Sequence, residues 1–204
     1  MPGARIRCAS LPYSPAMLDR ISGLLGLKER TWPYWLEDWP ATWSLASLLD
    51  QEDPGAWPGP VLDLGCGSGV MGAWLRARFG VEAFSCDFNS DACRLAALNI
   101  AANGVGTPRG RVFCADMRAF PLRLPFGLVL AGEMLYAREN QAPILAFLSG
   151  HLAPGGRCFL ADKGRSAADG FPEAAVAAGF EVEAVKAQSG GRMARVFVLR
   201  AARG

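Results

Sequence analysis

From position 60 onward the chain alternates short apolar runs with longer stretches whose apolar residues recur every three or four positions. The short runs read as strands buried on both faces, the longer ones as helices. Val61–Gly65 is a strand and Val70–Gly80 a helix ended by Gly80. Residues 81–88 form the next strand. Asn89–Gly104 is a helix with Asn89 or Ser90 as its cap and Gly104 as its stop. Strands follow at 110–117 and 126–136, then a helix at 141–152, an Ala-Pro-Gly-Gly turn, a strand at 157–164 and a helix at 170–180. The tail 181–202 reads as two strands about a Ser-Gly-Gly turn.

The first fifty residues differ. Ser14 and Pro15 open a helix with Met17, Leu18, Ile21, Leu24 and Leu25 on one face. Pro40 opens a second, with Ala41, Leu45, Leu48 and Leu49 inward, and residues 52–60 form a loop. Strands alternating with helices imply an α/β fold with a mainly parallel sheet, to which the terminal hairpin adds an antiparallel strand. The two N-terminal helices are expected across the carboxyl ends of the strands, where open α/β sheets bind ligands. The expected organisation is one domain over 1–204, with a helical cap at 1–50 and the α/β core at 60–204.

Composition narrows the partners. A net charge of +2 on 204 residues is too small for a nucleic-acid or membrane footprint. No run is apolar enough to span a membrane, and the first residues lack the apolar core of a signal peptide. The six cysteines are dispersed without a CxxC pair, which predicts reduced thiols in a cytoplasmic protein.

The candidate chemistry begins at "VLDLGCGSGV", residues 61–70, a glycine-rich turn between strand and helix. Such turns cradle nucleotide-like ligands. Gly67, Gly69 and Gly72 make a GxGxxG, and Asp87 follows Gly67 by twenty residues, the spacing of a dinucleotide site. A nicotinamide-dependent oxidoreductase is therefore one reading. A second register, Asp63-Leu64-Gly65-Cys66-Gly67-Ser68-Gly69, puts a carboxylate before the glycines. That carboxylate repels a diphosphate but suits an ammonium group, and Asp87 suits a ribose diol. S-adenosylmethionine (SAM) combines an ammonium end and a ribose without phosphate.

Residues 61–105 resemble the first signature of the class I SAM-dependent methyltransferases. "FGLVLAGEMLY" is similar to their fourth strand and "LAPGGRCFLAD" to the turn into the fifth. The resemblance runs from about Trp32 to Gly179. It implies a Rossmann-like sheet of seven strands, parallel except for an antiparallel last strand, with helices on both faces and an N-terminal helical cap. Glu133-Met134-Leu135-Tyr136 looks like the Asp-x-x-Tyr motif of protein lysine methyltransferases, with Glu in place of Asp. Residues 33–49 resemble the Pro-Tyr-Trp segment of that branch. "ADKGR" resembles its Asp-Pro-Gly-Arg, with Lys163 in place of Pro. The branch includes the lysine methyltransferase of the electron-transfer flavoprotein β subunit.

The resemblance implies roles. Gly65, Cys66, Gly67, Ser68 and Gly69 pass under the methionine moiety, and Asp63 orders that loop or reaches the amino end. Asp87 takes the ribose hydroxyls with Phe88 beside the adenine. Asp116 meets the adenine amine, with Met117 against the ring. Glu133 and Tyr136 are the catalytic pair at the acceptor, Glu133 also touching the cofactor. Trp39, with Trp35, stacks on adenine, faces the sulfonium or walls the acceptor channel, core packing being the alternative. Trp43, Trp57 and Trp74 are expected in the core.

His151, the one histidine, ends a helix away from the strand edges and is expected to be structural. Oxygen acceptors call for a base or metal, so an amine nitrogen is favoured. Arg192, Arg195, Arg200 and Arg203 are expected on solvated hairpin positions. The expected activity is methyl transfer from SAM, leaving S-adenosylhomocysteine, to a protein lysine or alternatively a small nicotinamide-like amine. A monomer is expected, with no metal, nucleic acid or membrane partner. A non-catalytic binding protein of the same fold is a further alternative.

Overall fold

The computed structural model describes residues 5–8, 34–36, 39–106, 111–189 and 192–202, the side chains of Ser189 and Arg192 excepted. The helix expected from Ser14 lies outside them.

Seven strands form one sheet: β1 (Val61–Leu64), β2 (Ala83–Asp87), β3 (Val112–Cys114), β4 (Phe126–Gly132), β5 (Leu152–Asp162), β6 (Glu181–Ser189) and β7 (Arg192–Arg200). Their order is β3-β2-β1-β4-β5-β7-β6. β1 to β5 pair in parallel, and β7 runs antiparallel between β5 and β6. This is the expected sheet. The Ala-Pro-Gly-Gly turn is not a separate connection. It belongs to β5, where the register against β4 shifts between Phe126 and Leu128.

Helices α1 (Pro40–Leu49), α2 (Val70–Phe79), α3 (Ser90–Ala102), α4 (Gln141–His151) and α5 (Phe171–Ala177) pack around the sheet. Successive strand residues point to opposite faces, and both faces are covered. On one face Leu128, Leu130, Phe159 and Val196 meet Leu45 and Leu49 of α1 and Trp74 and Leu75 of α2. On the other, Leu62, Val129, Leu160 and Phe197 meet Phe147 and Leu148 of α4 and Phe171 of α5. Burying a large apolar side chain contributes about 2 kcal/mol, so these double-sided strands carry much of the stability.

α1 differs from its expected place. It buries Ala41, Leu45 and Leu49 and packs on the sheet face over β4, β5, β6 and β7. Its apolar stripe needs a flat apolar partner, which a strand edge does not offer. Its first turns still border the carboxyl edge through Thr42 and Leu45, together with Tyr34, Trp35 and Trp39 of the segment leading into it. No helix among the described residues is long and apolar enough to cross a membrane.

Candidate active site

A cavity of about 740 Å³ opens at the carboxyl ends of β1, β2, β4 and β5. Trp39, Asp63, Gly65, Cys66, Gly67, Ser68, Asp87, Phe88, Asp116, Met117, Glu133 and Tyr136 all border it; Gly69 does not. A smaller recess of about 410 Å³ lies at the amino ends, beside Trp57, Pro60 and Glu82, and holds none of them.

The loop after β1 is built from the inside. Gly65, Gly67 and Gly69 all have positive φ, of 70°, 50° and 74°. At Gly65 a β-carbon would meet Met134 Sδ at 2.4 Å, so the loops after β1 and β4 touch here. At Gly69 it would meet Ala96 Cβ at 2.5 Å, in α3. Gly69 thus serves helix packing and caps α2, and it does not itself border the cavity. Asn99, buried in α3, donates to Ser68 O at 2.7 Å and pins the loop.

Asp87 ends β2. Its Oδ2 accepts from Gly67 N at 3.0 Å and its Oδ1 from Asn89 N at 2.9 Å. Each oxygen keeps a lone pair, which matches two adjacent hydroxyls. Burial raises its carboxyl above the ordinary range, against the amides that favour the anion. Asp63 is buried beneath the loop and accepts from Gly72 N at 3.1 Å. Burial pushes it up to about 7, with the Asp87 charge adding to the effect. Asp116 is half-exposed and caps its own turn, accepting from Arg118 N at 2.8 Å. Phe88 is 72% exposed at the rim.

Two registers competed for this loop. In a dinucleotide site the loop amides face a diphosphate. Here Gly65 N and Cys66 N donate to Cys86 O, Gly69 N to Cys66 O, Gly67 N to Asp87 and Gly72 N to Asp63. Those amides are spent inside the protein, and a β-carbon on Gly72 would strike Ser85 Oγ at 2.3 Å. A paired carboxylate for a diol, a buried carboxylate near the amino end and a roomy cavity fit SAM and not a diphosphate.

The loops after β4 and β5 make the other wall. Glu133 has φ +57°, a strained backbone for a non-glycine residue, and is only 6% exposed. Its amide is tied to Ala161 O at 2.8 Å. Buried Asn140 donates to Met134 O at 3.0 Å and holds the same loop. The Arg165 guanidinium forms an ion pair with Glu133 Oε2, and Oε1 has no hydrogen-bond partner. Burial raises the Glu133 carboxyl, while Arg165 and Lys163 oppose that rise. Arg165 is set by Asp162, fully buried at the end of β5, which accepts from Gly164 N at 2.7 Å and Arg165 N at 2.9 Å. Arg195 also reaches Asp162, at 3.2 Å, so it is a partner in this cluster and not the solvated position expected. Trp39 packs here: Lys163 Nζ and Arg165 Cζ lie 5.3 and 5.5 Å from its ring centre. Tyr136 stands 57% exposed at the mouth, its hydroxyl not bonded to Glu133. The Trp35 carbonyl would lie 3.2 Å from a β-carbon on Gly67.

His151 Nδ1 lies 3.0 Å from Phe147 O and its ring stacks on Phe147 at 4.6 Å, a packing role as expected. Trp57 and Trp74 are in the core. Asn99, Asn140, Asp162 and Arg165 were missed as site-builders. Only the "ADKGR" likeness hinted at the last two.

The sheet order and the glycine loop match the Rossmann-like fold of class I SAM-dependent methyltransferases. Residues 61–156 match a family model described as a methyltransferase domain. The chain is 40% identical over 74 residues to the ribosomal RNA small subunit methyltransferase C of Vibrio vulnificus, covering 36% of this chain and 21% of that protein. It is 35% identical over 101 residues to the ribosomal protein L11 methyltransferase of Rhizobium leguminosarum, covering 48% and 34%. The chain thus spans about a third or less of the length of these relatives. Among solved structures, the glycopeptide N-methyltransferase MtfA superposes with a TM-score of 0.64 at 18% identity, covering 79% of this chain and 96% of that one. MtfA has also been solved with sinefungin. At that identity the likeness is one of fold.

Proposed function

We propose that this protein methylates an amine nitrogen, and that the acceptor is a lysine side chain of a protein. The observation that carries the reading is Glu133: strained, buried and left with one unpartnered carboxylate oxygen beside the glycine loop. Backbone strain of this kind persists where function requires it.

Asp87 would hold the ribose, Asp63 the amino end, and Phe88 and Met117 the adenine. When bound, SAM supplies a methyl carbon that a nitrogen lone pair can attack in line with the departing sulfur. The rest falls to the chain. A lysine has an ordinary pKa of ~10.4, so it must arrive or become neutral. Lys163 and Arg165 flank the acceptor wall, and neighbouring cations favour the neutral amine. The proton leaves to water at the open mouth. Glu133 Oε1 accepts one N–H, which turns the lone pair toward the methyl donor. Because Arg165 already neutralises Oε2, Glu133 orients the amine without strongly stabilising the ammonium.

Three features support an amine on a protein as the acceptor. The mouth is open and rimmed by exposed Tyr34, Phe88 and Tyr136. No imidazole stands at the cavity to serve an oxygen acceptor. The L11 methyltransferase relatives are named for a protein substrate. The test uses labelled-methyl SAM with ribosomal protein L11, total lysate protein and total RNA. Label recovered as methyl-lysine supports the reading. Label in RNA, or in no fraction while S-adenosylhomocysteine still binds, overturns the lysine assignment.

A further inference from the structure

Three thiols that methyl transfer does not use surround the ribose-side corner. Cys93 lies in the first turn of α3, Cys114 at the end of β3 and Cys66 in the glycine loop. Cys93 Sγ is 3.5 Å from Asp87 O and 3.3 Å from Phe113 O. Cys114 Sγ is 3.3 Å from Phe88 O. The two sulfurs therefore touch the carbonyls of consecutive residues, and Asp87 and Cys114 are register partners across β2 and β3. Cys93 is buried and Cys114 is exposed.

We propose that Cys93 and Cys114 form a reversible disulfide that closes the Asp87–Phe88 corner to the cofactor. The effect on cofactor rests on the SAM reading above; the bond itself does not. The pair divides the labour of thiol–disulfide exchange. Exposed Cys114, its thiol pushed up by burial and by Cys93, attacks glutathione disulfide through its thiolate fraction, forming a mixed disulfide and releasing one glutathione thiolate. Cys93 thiolate then attacks the Cys114 sulfur and expels the second glutathione. Two protein thiols lose two protons and two electrons, and one glutathione disulfide becomes two glutathione thiols. Cys93 suits the second step. The neighbouring Cys66 thiol favours its thiolate, and its proton is held with a pKa of about 7. Cys66 is the less suitable partner, because its hydrogen bond to Cys93, burial and the charges of Asp63 and Asp87 hold its own proton in place.

A disulfide needs its sulfurs about 2.05 Å apart. Closing to that distance draws the first turn of α3 against the end of β3, across carbonyls the sulfurs now touch. Closing moves both sulfurs off the Asp87 and Phe88 carbonyls that they now touch, which disturbs that corner.

The test equilibrates the full chain with glutathione disulfide and reduced glutathione, then blocks free thiols and digests with trypsin. The expected product joins residues 79–94 to 112–118, with fragmentation placing the bond at Cys93 and not Cys86. Cys93→Ser and Cys114→Ser should each abolish it, and Cys86→Ser should keep it. By calorimetry, oxidation should weaken S-adenosylhomocysteine binding about tenfold or more in the wild type and not in Cys114→Ser. Dithiothreitol should restore it. No bond, or a Cys66–Cys93 bond, overturns the proposal, as does a Cys93–Cys114 bond that leaves affinity unchanged. Failure of the reduced protein to bind S-adenosylhomocysteine would instead overturn the SAM reading, with the mass-spectrometric result standing by itself.

Discussion

Replacing Asp63 with asparagine should flatten the dependence of stability on pH. Asp63 is buried with a single hydrogen bond, from Gly72 N at 3.1 Å. Burial lifts its carboxyl from 3.8 to about 7; the Gly72 amide resists, and the Asp87 charge adds. Between those values the folded chain keeps a proton that the unfolded chain has released. Stability is therefore greatest below the unfolded value and falls as pH rises toward 7. Roughly three pH units at ~1.4 kcal/mol each give a loss of up to about 4 kcal/mol. Asparagine keeps a carbonyl for the Gly72 amide but cannot ionise. Asp87 and Glu133 are also raised and remain in the variant, so the difference in slope isolates Asp63. Urea unfolding across about pH 4 to 7 reads the slope. Saturating S-adenosylhomocysteine should flatten the wild-type curve too, since an ammonium near Asp63 favours the carboxylate. Parallel curves for wild type and variant would refute the reasoning and mean that Asp63 stays ionised in the fold.

Asp87→Ala removes the acceptor of two loop amides and the partner proposed for the ribose; S-adenosylhomocysteine affinity should fall about a hundredfold by calorimetry, near 3 kcal/mol. Gly69→Ala should lower stability by about 3 kcal/mol in urea unfolding, because its β-carbon meets Ala96 at 2.5 Å and its φ is 74°. Gly80→Ala has the same left-handed strain but open space, so about 1 kcal/mol is expected there. Glu133→Gln should lower kcat for lysine methylation about tenfold or more with S-adenosylhomocysteine affinity nearly intact, in line with lost orientation. Arg165→Met should raise the apparent pKa of the kcat profile, since a neighbouring cation that keeps the amine neutral is gone.

The sheet, its order of elements and most of the cavity wall were legible in the chain. Apolar runs such as "FGLVLAG" can only be strands buried on two faces, and spaced glycines after a strand mark a ligand loop. Asp63, Asp87 and Glu133 end strands or start loops on one edge because parallel strands all point their carboxyl ends the same way. These features depend on local periodicity, which neighbours in sequence carry.

The remainder depended on residues far apart in the chain. Gly69 has a second reason to be glycine in Ala96, 27 positions on, which occupies the space beside it. Arg195 looked solvated until the antiparallel β7 placed it opposite Asp162. The parallel pairing of β4 with β5 brings Arg165 to Glu133, which decides that only one carboxylate oxygen is free to meet an acceptor. Ion pairing and desolvation act through space, and no spacing rule along the sequence records them. The periodic pattern therefore determines the scaffold and the edge where chemistry sits, while packing across the sheet decides the charge and reach of each group on that edge.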